Sequence, residues 1–452
     1  MTMLIRKVWG PPGTGKTERA MQVMAELLSD GYRPGEVAFV SFTRAAVREA
    51  QGRIGQRFGL DLRPSRGGKV GTVHSLCYWL LGLTRERIFG RNDWRAFYAE
   101  QRLPFTDALP DDDAALYEPW EPPGTREGDI FHAWHDWARN GRLSPEEARR
   151  YSPGHGLDFN PGRMVRLAAA YQAMKERMGK VDFCDMLETA LSLRLGARQL
   201  LVDEAQDLSP LQQAVVDGWA QEAEGSSYFY DPDQAIYGWQ HADPAWLLSL
   251  DGEEEYLERS HRVPAAVAGY ANNLIAHNRS RPARRFMPTT ERGELVRGAE
   301  IERVIEDIQH GPVGDTWALL VRNRFLLSRF TQPLIEANIP YRNLRGRSPL
   351  AKVAESVLTA LRQGLPKPRG LSHARWAYYQ GVVGRWGVAA LEGRPPVTVG
   401  TIHSVKGREF DHVAVLPDWA YRTQEGAEED AETERRVWYV AATRARRRLY
   451  LL

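Results

Sequence analysis

Cysteine is scarce in this chain. Its 452 residues contain two, Cys77 and Cys184, too few for a disulfide framework, and the expected setting is reducing and intracellular. Long hydrophobic runs are missing too. No stretch approaches the ~18 apolar residues that a membrane helix needs, which excludes a membrane-spanning helix. The opening LIRKVWG, 4–10, is too short and too charged to read as a signal peptide. Neither sign of charge is in excess. The formal net charge is +2, which excludes a bulk polycation but leaves room for a nucleic acid held in a local basic groove. Internal repeats and low-complexity segments are lacking. What is present is 43% hydrophobic residues and 14 tryptophans. That suffices for several packed cores in about three domains of roughly 150 residues each.

Residues 3–9 read as a short strand. Residues 16–29 place Ala20, Val23, Met24, Leu27 and Leu28 on one helical face, with Gly31 as a stop. Residues 36–40 (EVAFV) read as a buried strand, 44–54 as a helix, and 198–203 and 227–230 as further strands. Buried strands alternating with helices predict a parallel α/β sheet. From about 85 to 161 the rhythm breaks. Proline pairs, the run Asp111–Asp113 and several tryptophans point to an inserted, mostly helical subdomain. The α/β rhythm resumes after 251, with strands expected at 317–321, 397–400, 412–416 and 448–452. Residues 364–396 read as a short insertion, and the acidic run around 425–434 as a solvated loop leading into a helix.

GPPGTGKT at 10–17 fits G-x-x-x-x-G-K-[ST] between a strand and a helix. Gly10, Gly13 and Gly15, with Thr14 between them, let backbone N–H groups approach phosphate oxygens closely. Lys16 is expected on the β- and γ-phosphates, and Thr17 on Mg²⁺. LLVDEAQD at 200–207 supplies an acidic pair at the end of a buried strand. Asp203 is expected to hold the Mg²⁺ and Glu204 to orient and deprotonate the attacking water. These two motifs specify a nucleoside triphosphatase and no more, because several P-loop classes share them.

Further segments narrow the choice. They are FVSFTRAAVREAQGRI (39–54), VGTVHSLCYWLL (70–81), VDFCDMLETAL (181–191), YDPDQAIYGWQHADP (230–244), LERSHRVPAAV (257–267), VTVGTIHSVKGREFDHVAVL (397–416) and ERRVWYVAATRARRRLYLL (434–452). In this order, and with the two phosphate motifs, they resemble the UvrD/Rep-like helicases of superfamily 1A over most of the chain. The resemblance implies two RecA-like P-loop domains with parallel sheets and ATP between them. It also implies a mostly helical insertion in the first domain and a vestigial one in the second. The expected boundaries are 1–84 and 162–250 for the first domain, 85–161 for its insertion, and 251–452 for the second, with 364–396 as its short insertion.

The same resemblance assigns roles. It puts Gln234 on the γ-phosphate, and Arg262 and Arg444 on the same phosphate from the second domain. Glu409 falls on the ribose hydroxyl and His261 against the base. It puts Phe42, Tyr237 and Trp239 on the single-stranded DNA path as stacking groups, and His74 and His403 on the DNA backbone. Arg44, where the family commonly has Asn, is a further phosphate contact. Stacking on aromatic rings ignores base identity, which suits a motor that must walk any sequence. Three departures stand out. No Gln lies upstream of the phosphate loop to read adenine, His261 replaces a usual Tyr, and the second insertion is short. The chain also closes at Leu452 without a nuclease segment, so a RecB-like helicase–nuclease is not expected.

The resulting expectation is an intracellular, nucleoid-associated, monomeric helicase and translocase. It uses ATP and Mg²⁺, moves 3′→5′, and acts on single-stranded DNA and single/double-strand junctions away from any membrane. The alternatives are a translocase that strips proteins from DNA with little unwinding, and a nucleotide-gated DNA-binding subunit of a repair complex.

Overall fold

A computed structural model describes residues 4–106, 126–150, 160–312, 314–344, 350, 353–393, 395–418, 424 and 430–452. The chain divides into two units, Met1–Leu257 and Glu258–Leu452. Each is built on a six-stranded sheet whose paired strands are all parallel.

In the first unit the strands are β1 (Leu4–Trp9), β2 (Val37–Ser41), β3 (Val70–Thr72), β4 (Gln199–Asp203), β5 (Gly225–Tyr230) and β6 (Glu253–Tyr256), in the order β3-β2-β4-β5-β1-β6. β2 and β5 are buried along their whole length, as parallel strands covered by helices on both faces must be. Helices Lys16–Ser29 and Arg44–Phe58 cover one face, and Val8, Ala20, Met24, Phe39, Ile54, Leu201 and Phe229 form the core beneath them. β6 was not foreseen. Its sequence is EEEY, it lies at the edge beside β1, and none of its residues is buried, so no apolar pattern marks it.

The insertion of this unit has its own core. Helices Arg91–Glu100, Glu127–Asn140 and Pro161–Met178 enclose Phe89, Trp94, Phe97, Tyr98, Phe131, Trp134 and Tyr171. Trp94 stacks on Tyr171 at 4.5 Å between ring centroids, and Trp134 Nε1 donates to Ala148 O at 3.0 Å. The helix Pro161–Met178 supplies Met164, Leu167 and Tyr171, so this packing continues beyond residue 161. The run Asp111–Asp113 lies outside the described residues.

In the second unit the strands are β7 (Glu294–Arg297), β8 (Trp317–Val321), β9 (Tyr341–Asn343), β10 (Val397–Thr401), β11 (Phe410–Val415) and β12 (Ala445–Leu451), in the order β7-β12-β11-β8-β10-β9. The interior strand β8 is fully buried. The short edge strands β7 and β9 carry no apolar run and were not foreseen. Between β9 and β10 lie helices Glu355–Gln363, His373–Trp386 and Ala389–Glu392 around Val357, Leu358, Trp376, Tyr379, Val382 and Leu391. This small three-helix insertion includes residues before 364. Tyr378 Oη ties it to the sheet by donating to Ile339 O at 2.8 Å. The acidic segment 425–429 is outside the described residues, and helix Ala431–Ala442 follows it.

A buried cation joins helix Pro161–Met178 to the start of the following helix, Phe183–Ala190. Lys175 is 1% exposed, and its Nζ donates to Asp182 Oδ2 and Asp185 Oδ2, both at 2.6 Å. Burial alone pushes the Asp182 carboxyl up. The charges of Lys175 and then Arg139 outweigh it, and the group titrates below its ordinary range. Removing one member of a buried pair strands the others at about 3–5 kcal/mol. Lys175→Met is therefore expected to destabilise the first unit by about 3 kcal/mol in chemical denaturation. The depressed Asp182 stabilises the fold above its unfolded pKa and ceases to do so on acidification through its folded pKa. The penalty should accordingly be largest near neutrality and shrink as the pH falls below about 4.

Candidate functional site

The carboxyl ends of β1, β4 and β5 meet at one edge of the first sheet, where ligands of open α/β sheets bind. β1 ends at Trp9 and the loop 10–15 follows, with Gly13 and Gly15 at φ 74° and 87°. Left-handed glycines turn successive N–H groups inward and deliver the N-terminus of helix Lys16–Ser29 to the same point. Thr14 Oγ1 closes the loop by donating to Pro11 O at 2.8 Å. Lys16 folds back across it, and its Nζ donates to Gly10 O at 2.8 Å.

The acidic side comes from β4, whose register pairs Asp203 with Ser41 of β2. Thr17 Oγ1 donates to Asp203 Oδ2 at 3.4 Å. A hydroxyl beside a carboxylate is an oxygen-only donor set, which suits Mg²⁺. That ion commonly takes one or two protein ligands and completes its shell with water and phosphate. Burial, and then the Glu204 charge, push the Asp203 carboxyl up to about 7, against the pull of Lys16.

Glu204 sits at φ 52°, in the left-handed region, as β4 turns away. Its carboxylate accepts from Gln206 Nε2 at 2.5 Å. Gln206 Oε1 in turn accepts from the Asp231 backbone N at 3.0 Å. Asp231 Oδ2 accepts from Gln234 Nε2 at 2.6 Å, and its Oδ1 from Trp9 Nε1 at 3.2 Å. Glu204 and Gln234, singled out separately in the sequence, are thus joined by one chain of hydrogen bonds. Gln206, Asp231 and Trp9 were missed. A glutamine between the carboxylates of DEAQD was the available signal, since a buried amide there has to bridge something.

The expected DNA-contacting residues are placed as follows. Phe42 and Tyr237 are both buried and lean together, with ring centroids 5.3 Å apart and planes at 35°. Arg44 opens helix Arg44–Phe58 behind the Thr43 cap, whose hydroxyl accepts from Ala46 N at 3.1 Å. Trp239 lies in the turn Gly238–Gln240, and its side chain is outside what is described. GTVHS and GTIHS fold alike. In each, the serine hydroxyl donates back to the threonine carbonyl, Ser75 to Thr72 at 2.9 Å and Ser404 to Thr401 at 2.7 Å. The glycine makes room for that hydroxyl: a Cβ at Gly71 or Gly400 would come within 2.5 or 2.6 Å of it. His74 and His403 are both buried by this turn. Burial, with the Arg44 charge adding to it, depresses His74 to about 4.

In the second unit, His261, Arg262 and Glu409 line one cavity of about 640 Å³ together with Asp411, Arg446 and Arg447. Arg262 lies 3.6 Å from Glu409 Oε2, and Arg446 NH1 donates to Glu409 Oε1 at 3.1 Å. Arg446 was not singled out in the sequence; it lies on β12. Arg444 stands apart and is buried. Its Nε donates to Val440 O at 3.0 Å and its NH1 to Arg408 O at 3.4 Å.

A phosphate loop, a strand-end acidic pair and a second parallel sheet define the class as a P-loop nucleotide enzyme with two RecA-like α/β units. Comparison with known families narrows it. Residues 5–255 match the UvrD/REP helicase N-terminal domain, and residues 389–452 the UvrD-like helicase C-terminal domain. The chain belongs to the UvrD/REP helicase family. It is 25% identical to the ATP-dependent DNA helicase UvrD2 of Mycobacterium tuberculosis, over 97% of this chain and 75% of that protein. It is 25% identical to the ATP-dependent DNA helicase PcrA of Staphylococcus epidermidis, over 74% of this chain and 48% of that one. Among solved structures, that of Arterivirus nonstructural protein 10 (helicase) aligns over 99% of this chain and 59% of its own, with 14% identity and a TM-score of 0.36.

The raised Asp203 has a consequence for stability. A carboxyl that takes up its proton more readily when folded stabilises the fold below its folded pKa. That contribution is progressively lost as pH rises from about 4 through 7. Asp203→Asn is therefore expected to stabilise the nucleotide-free protein at pH 8 by about 1 kcal/mol or more, seen as a higher melting temperature, and to change much less at pH 5. Thermal denaturation at the two pH values checks this.

Proposed function

We propose that the protein is an ATP-dependent DNA helicase that steps 3′→5′ along a single strand as a monomer inside the cell. It engages single strands and single/double-strand junctions. Lys16 and the N–H groups of Gly13, Thr14 and Gly15 hold the phosphates, and Thr17 and Asp203 hold Mg²⁺. Glu204 activates water, while Gln234 reads the γ-phosphate. Arg262 and Arg444 supply positive charge to the transferring phosphoryl group, with Arg444 held in place by backbone carbonyls. His261 and Glu409 contact base and ribose. Phe42, Arg44, His74, Tyr237, Trp239 and His403 carry the DNA, and a base enters between Phe42 and Tyr237 by parting their rings.

The observation that best supports this reading is the continuous bond path from Glu204 through Gln206 and Asp231 to Gln234. Movement of Gln234 when the γ-phosphate leaves is felt at once by the water-activating group. It is also felt by the DNA-facing segment that begins three residues further on. The small three-helix insertion of the second unit favours one variant, a motor that clears proteins from a strand and opens long duplexes weakly.

Unwinding of duplexes bearing a 3′ or a 5′ tail, with ATP and Mg²⁺, tests the assignment. Opening from the 3′ tail is expected, and opening only from the 5′ tail would overturn the polarity. Glu204→Gln is expected to bind ATP normally and to lose roughly 10²–10⁴-fold in hydrolysis. Nucleotide binding and phosphate release measured side by side separate the two effects.

A further inference from the structure

The loop that carries Gln234 does not end in solvent. Seven residues on, His241 adopts φ 60°, a left-handed conformation that costs a non-glycine residue of order 1–3 kcal/mol and persists only where its surroundings over-determine it. The determinants are in the helical insertion. The His241 ring lies 4.2 Å from the Trp137 ring at 40°. Its Nε2 sits 3.2 Å from Trp137 O, and because a carbonyl only accepts, that nitrogen carries the proton. Gly141 leaves the space: a Cβ there would meet His241 Nε2 at 2.5 Å. Arg142, the next residue, is itself at φ 57°. The same helix end has a second tie. Ser209 Oγ, just past the acidic motif, donates to Asn140 Oδ1 at 3.1 Å. The C-terminus of helix Glu127–Asn140 therefore touches both segments that handle the nucleotide, while its other face, Phe131 and Trp134, is locked into the insertion core.

We propose that His241 is a positioning residue that latches the nucleotide-sensing loop to helix Glu127–Asn140, so that a shift of Gln234 on nucleotide binding moves the helical insertion. This rests on the nucleotide site proposed above. His241 touches neither nucleotide nor reacting atoms in this reading. It acts by transmitting displacement through one packed contact of defined geometry, and the backbone strain released when the contact opens favours two discrete arrangements over a graded one.

Hydrogen exchange of the whole protein, with and without a non-hydrolysable ATP analogue, tests the latch. In the unaltered protein the analogue is expected to change protection at residues 10–17, 231–241 and 134–141. In His241→Gly, which relieves the backbone strain and removes the ring, the first region should still respond and 134–141 should not. His241→Asn tolerates the left-handed backbone, keeps a donor but lacks the ring, and should respond partially. Basal ATP hydrolysis should stay within about twofold. Duplex opened per ATP should fall roughly 2- to 30-fold in His241→Gly. A response at 134–141 that survives His241→Gly overturns the latch, as does unchanged unwinding per ATP. So does an unaltered protein in which 10–17 responds and 134–141 does not. No response even at 10–17 would count instead against the nucleotide site itself.

Discussion

Charge buried at the carboxyl edge of the first sheet is the constraint on which the rest depends. The strand ends and the loop after β1 bring Lys16 and Asp203 out of water with Glu204 half-buried beside them, yet the chain alone gives Asp203 little more than a hydroxyl at 3.4 Å and a neighbouring backbone N–H. A buried carboxylate so weakly partnered takes up a proton near neutrality. The arrangement persists because β2, β4, β5 and β1 pair in register and are mostly buried. A sheet that cannot slip fixes where its strands end. On the proposed reading, a nucleotide with its divalent cation would supply the missing charges of both signs, and the site would be satisfied by binding and not by folding.

Strained backbone recurs on the way from this edge to the insertion. Among the described residues, five other than glycine have positive φ: Arg102, Arg142, Glu204, His241 and Asn338. Glu204 carries the carboxylate that Gln206 holds, and Arg142 and His241 flank the contact between the sensing loop and the insertion. Strained backbone survives only where surrounding contacts over-determine it, and it concentrates where a structure has two states to choose from. The hydrogen-bond chain from Glu204 to Gln234 and the ring contact of His241 with Trp137 form one path through the first unit. It begins at the strand-end acidic pair and ends at an aromatic core that belongs to the insertion.

What could be read from the sequence follows from how local each feature is. GPPGTGKT and LLVDEAQD declare themselves because their chemistry lies within eight residues, and the strands β2 and β8, with the YFY end of β5, because burial on both faces leaves a short apolar run. The edge strands β6, β7 and β9 could not be read. An edge strand needs no apolar pattern, and EEEY at 253–256 gives none. The helix Pro161–Met178 fell within the range 162–250 expected for the first domain, because nothing in the sequence says which core its apolar face joins. Gln206, Asp231 and Trp9 were invisible as a network. Their bonds join residues 25 to 222 positions apart, and nothing short of the fold places them together. Arg446 went unremarked for a related reason: a basic run looks the same at a helix end and on a strand, and only the strand sets it beside Glu409.

The two GT-x-HS turns show how one local solution serves both units. The serine hydroxyl folds onto the threonine carbonyl, the glycine gives way, and the histidine is buried at the carboxyl end of a parallel strand in each sheet. Burial has an electrostatic consequence at His74. With its pKa near 4, the imidazole is neutral at physiological pH, so any contact it makes with a DNA backbone is a directed hydrogen bond and not an ion pair. Such a contact adds nothing to the counterion release that makes binding fall with salt. The net charge of +2 gives no general attraction either. On the proposed reading, the salt dependence of DNA binding therefore comes from a few local cations such as Arg44, while the neutral His74 and stacked rings set position along the strand. A motor that must hold and release the same strand at each step is served by that division. The charged contacts keep it on DNA, and the weaker neutral ones can be remade one nucleotide further on.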